Sequence, residues 1–595
     1  PFLQTYSILF IFECMIIKTL FILLFPVTIL AQPPIDSLVS VVNKQFNGMA
    51  AYSHVRFFSQ FWRIAGGKDF NSCVDYIARV LDSAGLGPVN ENTSIKAAFG
   101  HYYIQEDSLD HPVWNPKDAR LSIISPAETT LQSYASTSVM LCQNSFPIDT
   151  IAELIYVGKG DSEGDYANKN VHGKIVFGDA GVKALLHFAL LHGALGVVSS
   201  MVRPFNHPEI YPGIISEEGI SYNAAMHSFG IKISARSAGY LKSLLSSGKV
   251  TAHISVSTTF TSGKLRTLVA EIPGWEKPGE RVIFVAHLDH YKPGANDNAS
   301  GSATLVEMLS SALSLLKQGK IHTPARTLTF LWVDEYNGTN AWIKAHPEET
   351  KNTVAVFDLD MTGEDASKTG GQFWMERAPD PASVWLRPPD KHTEWGATTL
   401  TETQLLPTWL NDFCFSILQR QATLSDWKIG QHPFEGGSDN EPFLQAGIPA
   451  VTDWHFTDFF YHSSMDDTDK VSPAEMKNVG AAALVAGYAI ASPTEMTFQF
   501  ALTSLRSTAH RRIENEAANS KAAIDSIGRS QHEYFLQRQK KKTVLDAWTK
   551  WYDEAFQSLK SFPITSSLSE EKSIAQERQA LQSLRKEIGE RIGIE

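Results

Sequence analysis

Residues 281–301 read RVIFVAHLDHYKPGANDNASG. Val282, Ile283, Phe284, Val285 and Ala286 form an apolar run without polar alternation, the pattern of a strand covered on both faces of a parallel sheet. His287 follows at once. Side chains alternate along a strand, so His287 and Asp289 share a side on which a carboxylate can orient an imidazole ligand. Asp297 lies in the glycine- and asparagine-rich GANDNASG, and Ser300 is placed to open a helix carrying Leu305, Val306, Leu309, Leu313 and Leu316. Strand, loop and helix in this order are the unit of an open α/β sheet, which binds ligands at the carboxyl ends of its strands.

The rest of the chain sets bounds on this reading. At 595 residues it is too long for one core, and a net charge of −12 argues against a polyanionic partner such as nucleic acid. The dense basic run Arg538–Lys542 has helical spacing around it and reads as a solvated helix face. Cys14, Cys73, Cys142 and Cys414 are too widely spaced for a disulfide framework or a zinc finger, so a metal would be held by His, Asp and Glu. From Met15, MIIKTLFILLFPVTILAQ has the charge and apolar length of a signal peptide, with cleavage expected near Pro33. Export to the periplasm, cell surface or medium is therefore expected, with an uncleaved anchor as the alternative.

Four regions follow residues 1–32. Residues 33–120 contain the helical pattern DFNSCVDYIARVLDSAG, with Val74, Ile77, Ala78 and Leu81 on one face and Gly85 as its stop. Residues 121–262 change to short strands and turns, a β-rich module with no ligand cluster of its own. Residues 263–492 alternate strand and helix, with strands expected at Val282–Ala286, Thr327–Val333, Val354–Leu359 and Pro449–Thr452. This predicts an α/β fold with a mixed, mainly parallel sheet flanked by helices. Residues 493–595 form a helical appendix, with Trp548, Trp551, Tyr552 and Phe556 on one face. That tail is open to core packing or a homodimer contact, and its removal is expected to spare the site.

Three more strands end in the same way. TLTFLWV runs into Asp334 and Glu335, TVAVFDL into Asp360, and IPAVTDW is followed by His462. His287, Asp297, Asp334 or Glu335, Asp360 and His462 together form a nitrogen and oxygen donor set suited to two zinc-like ions, one carboxylate bridging them. Such ions assist hydrolysis of an amide, with a nearby carboxylate moving the proton.

AHLDH, GANDNASG, LDMTG, GGSDNEPFLQAGIPAV and YHSSMDDTDKV resemble, in order, the motifs of the co-catalytic zinc peptidases that include bacterial leucyl aminopeptidases and glutamate carboxypeptidases. The segment YVGKGDSEGDYANKNVHGKIV resembles the opening of the protease-associated domain commonly inserted in that family. The resemblance implies a zinc exopeptidase fold, two Zn²⁺ per chain and a peptide or small protein as substrate. It makes His287 and His462 terminal ligands on different metals and Asp297 the bridge. It places Asp360 on the metal of His287, Asp289 behind His287, and Asp439 and Asp466 among the supporting polar residues. The family has two adjacent glutamates, the first a base and the second a ligand, where this chain has Asp334 and Glu335. Position for position Asp334 is the base and Glu335 the ligand; in a shifted register Glu335 is the base and one metal lacks a ligand. The function expected is aminopeptidase action. Carboxypeptidase or dipeptidase action, glutaminyl cyclisation and non-catalytic peptide binding are the alternatives.

Overall fold

The computed structural model describes residues 35–90, 93–94, 98–525 and 531–594, so the expected signal peptide lies outside the described residues. The apolar run after Arg281 is a strand, Lys277–His287, inside a ten-stranded sheet. It pairs in parallel with Arg326–Val333 on one side and Thr353–Leu359 on the other, and Thr353–Leu359 pairs in parallel with Ala450–Phe456. Antiparallel partners flank this centre, Lys264–Ile272 beside Arg326–Val333 and Gln372–Glu376 beside Ala450–Phe456.

The absence of polar alternation has a direct structural cause. Val282, Phe284 and Ala286 point into the larger core, against helices such as Gly301–Lys317 and Pro473–Ala491, while Ile283 and Val285 point into a second core with Trp342 and Phe443. Each such side chain taken from water contributes about 1.5–3 kcal/mol, so both faces of the strand select apolar residues. The helix Lys68–Ala84 buries Phe70, Val74, Ile77 and Leu81. It stops at Gly85, whose φ of 95° is the left-handed conformation that glycine adopts without strain.

The β-rich module is a separate seven-stranded sheet with the helices Val182–Leu191 and Ala235–Ser247. Two antiparallel pairs join it to the main sheet. His101–Ser108 pairs with Lys264–Ile272 in the main sheet, and their chain continuations Val113–Ser125 and Val250–Thr261 pair in the module. This double connection gives the module a fixed departure point beside the strand ends.

Two expectations need correction. Ser300 does not cap the helix that starts at Gly301; its hydroxyl donates to the Asn296 carbonyl at 2.7 Å. Asn298 takes that place, its Oδ1 accepting from the backbone N–H of Gly301 at 2.9 Å and of Met361 at 3.1 Å. The tail is also no separable appendix. Its helices Glu495–Asp525, Gln531–Ser558 and Leu568–Ile592 contribute buried side chains to the larger core. Trp548, Trp551, Tyr552 and Phe556 are buried within the chain, so the aromatic face is used internally instead of at a dimer contact.

Candidate metal centre

The carboxyl ends of the central strands open into a cleft of about 720 Å³. His287 ends its strand, Asp334 and Glu335 follow Val333, and Asp360 follows Leu359. A parallel sheet brings strand ends that are distant in sequence to one edge, so these residues meet.

Asp297 stands at the middle. Its Oδ1 lies 3.5 Å from His287 Nε2, and its Oδ2 lies 2.9 Å from His462 Nε2 and 3.3 Å from His290 Nε2. His287 Nε2 is also 3.4 Å from Asp360 Oδ1. The donors form two groups on either side of Asp297: His287, Glu335 and Asp360, and Glu217, His290 and His462. Ligands at 2.0–2.1 Å from a tetrahedral zinc stand roughly 3.3 Å apart, the scale of these separations. Asp360 Oδ1 and His290 Nε2 are buried without a hydrogen-bond partner, as expected of atoms that a cation would satisfy.

The electrostatics agree. Burial alone would lower His287, but Asp360 and Glu335 raise it well above the usual imidazole range. Burial likewise opposes the rise of His290 to about 9, which Asp297 and Glu217 produce. Asp297 is held well below the carboxylate range by His290 and His462 against the effect of burial. The carboxylates that raise these imidazoles give the group a negative field, which favours a divalent cation.

Asp334 and Glu335 occupy different surroundings. Glu335 stands with His287 and Asp360, and burial pushes its carboxyl well above the usual range, with Asp289, Asp439 and Asp360 adding to the effect and His287 opposing it. Asp334 accepts from Asn337 Nδ2 at 2.9 Å and is raised by burial and by Asp289. It is not among the donors that group around Asp297.

The supporting carboxylates hold backbone. Asp466 accepts from the N–H of Asn296 at 2.8 Å and of Asp297 at 3.0 Å. Asp439 accepts from Tyr336 N–H at 2.9 Å and from the Thr339 hydroxyl at 2.6 Å. Asp289 faces His287 Nδ1 through its side chain at 3.6 Å and its backbone carbonyl at 3.0 Å. The strand has ended at His287, so the loop, not the pleat, brings Asp289 there.

Sequence reasoning missed three residues. His290 stands in AHLDH, and its signal was a second histidine three positions after the first. Glu217 comes from the β-rich module and had no signal. Arg63 is fully buried, and its guanidinium donates to the carbonyls of Leu288 at 2.6 Å, Gly294 at 2.8 Å and Asp297 at 3.4 Å, fixing the metal-facing loop. Trp395 also lines the cleft, while Trp385 packs against the larger core.

The donor set is of the kind that suits divalent metal ions. Residues 267–486 match the model of peptidase family M28. A probable glutamate carboxypeptidase of Arabidopsis thaliana is 29% identical over 217 residues, 34% of this chain and 28% of that protein. A glutamate carboxypeptidase 2 homolog of Caenorhabditis elegans is 25% identical over 209 residues, 33% of this chain and 25% of its own length. The match thus spans little more than a quarter of these curated relatives. Among solved structures, a peptidase M28 precursor from Shewanella amazonensis superposes with a TM-score of 0.54 at 17% identity, covering 77% of this chain and 97% of that one. A zinc aminopeptidase from Bacillus subtilis gives 0.52 at 16%, covering 76% and 97%. These likenesses establish the fold.

Proposed function

We propose that this chain is an exported zinc-dependent exopeptidase that removes N-terminal residues from peptides. The observation that carries the reading is the division of Asp297, whose two oxygens face His287 on one side and His290 and His462 on the other. His287, Asp297 and Asp360 would hold one ion, with Glu335 at its remaining side; His462 and the other oxygen of Asp297 would hold the second. Bound divalent ions lower the pKa of water and polarise a carbonyl.

The chain's own groups supply the rest. Glu335 is placed to take a proton from the attacking water and return it to the leaving amine, a role suited to a carboxylate with a raised pKa. Asp289, Asp439, Asp466 and Arg63 hold this geometry through backbone groups. The acidic lining favours a substrate with a free ammonium.

One observation favours a second reading, carboxypeptidase action. Arg203, from the module, lines the cleft between the rings of Phe205 and Tyr461, at 6.0 and 5.9 Å, where a substrate carboxylate could meet it. The test is hydrolysis of free, N-acetylated and C-amidated peptides, with chelator and zinc readdition. Chelator-sensitive cleavage lost on acetylation supports the aminopeptidase; loss on amidation supports the carboxypeptidase. Silence with zinc bound would overturn both.

A further inference from the structure

We propose that Glu217, carried by the inserted β-rich module, is a ligand of the second metal ion together with His290, His462 and Oδ2 of Asp297, so that loading this ion latches the module onto the catalytic sheet. The proposal rests on the metallopeptidase reading above and adds to it a site shared between two domains.

Glu217 Oε1 lies 3.2 Å from His462 Nδ1 and 3.6 Å from His290 Nε2. Asp297 Oδ2 lies 3.3 Å from His290 Nε2 and 2.9 Å from Nε2 of His462, the other nitrogen of the ring that Glu217 meets; one ion takes a single nitrogen of this ring, and a half-turn about Cβ–Cγ sets Nε2 between the two carboxylates, at the roughly 3.3 Å scale of ligands on one tetrahedral zinc. The side chains of Glu217 and His290 are 4% and 8% exposed. His290 Nδ1 faces the Tyr291 carbonyl at 3.3 Å, which fixes the ring with Nε2 aimed into the group. That Nε2 is buried and has no hydrogen-bond partner. A simple ion pair would leave Glu217 with one imidazole; here it faces two, with a second carboxylate oxygen, from Asp297, beside them.

The module is built to deliver this residue. The backbone N–H of Glu217 donates to the His462 carbonyl at 3.0 Å. Ser216 bridges Ser463 in antiparallel fashion, Ser464 N–H donates to the Ile215 carbonyl at 2.9 Å, and Ser464 Oγ accepts from Ile215 N–H at 3.1 Å. One stretch of module backbone therefore runs along the loop that carries His462, and the carboxylate at its end enters the group.

Glu217 also answers the departure at Asp334–Glu335. Glu335 stands with His287 and Asp360, so this strand end gives the second ion no carboxylate. Glu217 and His290 provide the missing donors from elsewhere. Four protein donors form a closed set, the pattern of a structural ion, whereas beside His287, Asp297 and Asp360 the remaining side is that of Glu335, the proposed base, in the cleft. The two ions thus divide the work, one facing substrate and one fastening the module.

The experiment uses the full chain, stripped by chelator and titrated with zinc while stoichiometry, affinity and amide hydrogen exchange are followed. Wild type is expected to bind two zinc ions, the second addition raising protection in segments 214–217 and 458–466. Glu217→Gln should keep one tight ion, bind the second at least about tenfold more weakly, and lose the zinc-dependent protection of 214–217. His290→Gln should give the same pattern through a different residue. A folded Glu217→Gln protein that binds two ions with wild-type affinity overturns the latch and leaves the peptidase reading intact. Zinc that changes no protection in 214–217 of the wild type overturns it without any variant. Wild-type protein that binds no zinc overturns both readings together.

Discussion

The backbone N–H of Glu335 donates to Oδ1 of Asp289 at 2.8 Å, and the same Asp289 oxygen faces His287 Nδ1 at 3.6 Å. One carboxylate therefore fixes the loop that carries the proposed base and the imidazole that begins the metal-facing group. A shift of Asp289 would misplace both at once. Glu335 reaches the group with its own side chain, while Asp334 is turned to Asn337.

Glu335→Gln is accordingly expected to lower kcat by about 10²–10⁴-fold, the usual contribution of a positioned acid or base, while zinc stoichiometry stays at the wild-type value. Asp334→Asn resembles the protonated acid that burial favours and should cost less than about tenfold. Steady-state kinetics with metal analysis of each variant reads the outcome. The reverse order of effects would assign the base to Asp334.

Much of the fold was legible because its central strands are buried on both faces and end in ionisable residues. Phe284 and Val285 serve opposite cores, which removes polar alternation and marks the strand. His287 and Asp360 were readable from the same rule, since charged groups directly after apolar runs need partners. His290 was half legible, as a histidine in the quoted motif without a geometric reason to turn inward. Glu217 and Arg63 were not legible. Each acts through chain folding that brings remote residues together, 70 positions separating Glu217 from His287, and neither lies at the end of an apolar run.

Arg63 should be indispensable to the Asp297 loop although it is outside the donor set. Besides Leu288, Gly294 and Asp297, it donates to the carbonyls of Phe58 at 3.0 Å and Pro293 at 3.3 Å. Arg63→Leu removes every donor and leaves buried carbonyls unsatisfied at about 1–3 kcal/mol each, so a loss of about 3 kcal/mol or more is expected. Thermal unfolding of apo protein and zinc affinity should both report it. An unchanged midpoint would show that the loop is held by Asp466 alone.

His432 gives a pH dependence of known sign. Its Nε2 accepts from Trp454 Nε1 at 2.7 Å and its Nδ1 faces the Pro433 carbonyl at 2.7 Å, an arrangement that requires the neutral ring. Burial lowers its pKa to about 3, with Glu435 3.5 Å away failing to offset it. The folded value lies below the unfolded value of about 6.5, so the contribution is present above pH 6.5 and is lost as pH falls toward 3. The local slope approaches about 1.4 kcal/mol per pH unit. His432→Asn should remove this part of the acid sensitivity, read as a flatter dependence of urea midpoint between pH 6.5 and 4. Parallel curves for the two proteins would place the acid sensitivity elsewhere.

The tail should be required for the catalytic domain to fold. Arg326 begins the strand that ends at Val333, next to Asp334 and Glu335, and its side chain is 1% exposed. It meets Glu280 at 2.8 Å and the Ile490 carbonyl at 2.7 Å, but its other acceptors are tail carbonyls, Phe562 at 2.8 Å, Ser561 at 2.9 Å and Pro563 at 3.0 Å. Removing residues 493–595 strips those three acceptors and uncovers the core against which Phe498, Leu505, Leu545 and Phe562 are buried. An incompletely paired guanidinium and a large apolar face would remain, each enough to cost several kcal/mol. A chain ending at Ser492 is therefore expected to accumulate as insoluble protein. Arg326→Gln in the full chain should fold with a lowered unfolding midpoint and retain zinc, which separates the loss of one anchor from the loss of the core. A soluble truncated chain with wild-type zinc affinity would show that the sheet and its metal centre stand without the helices.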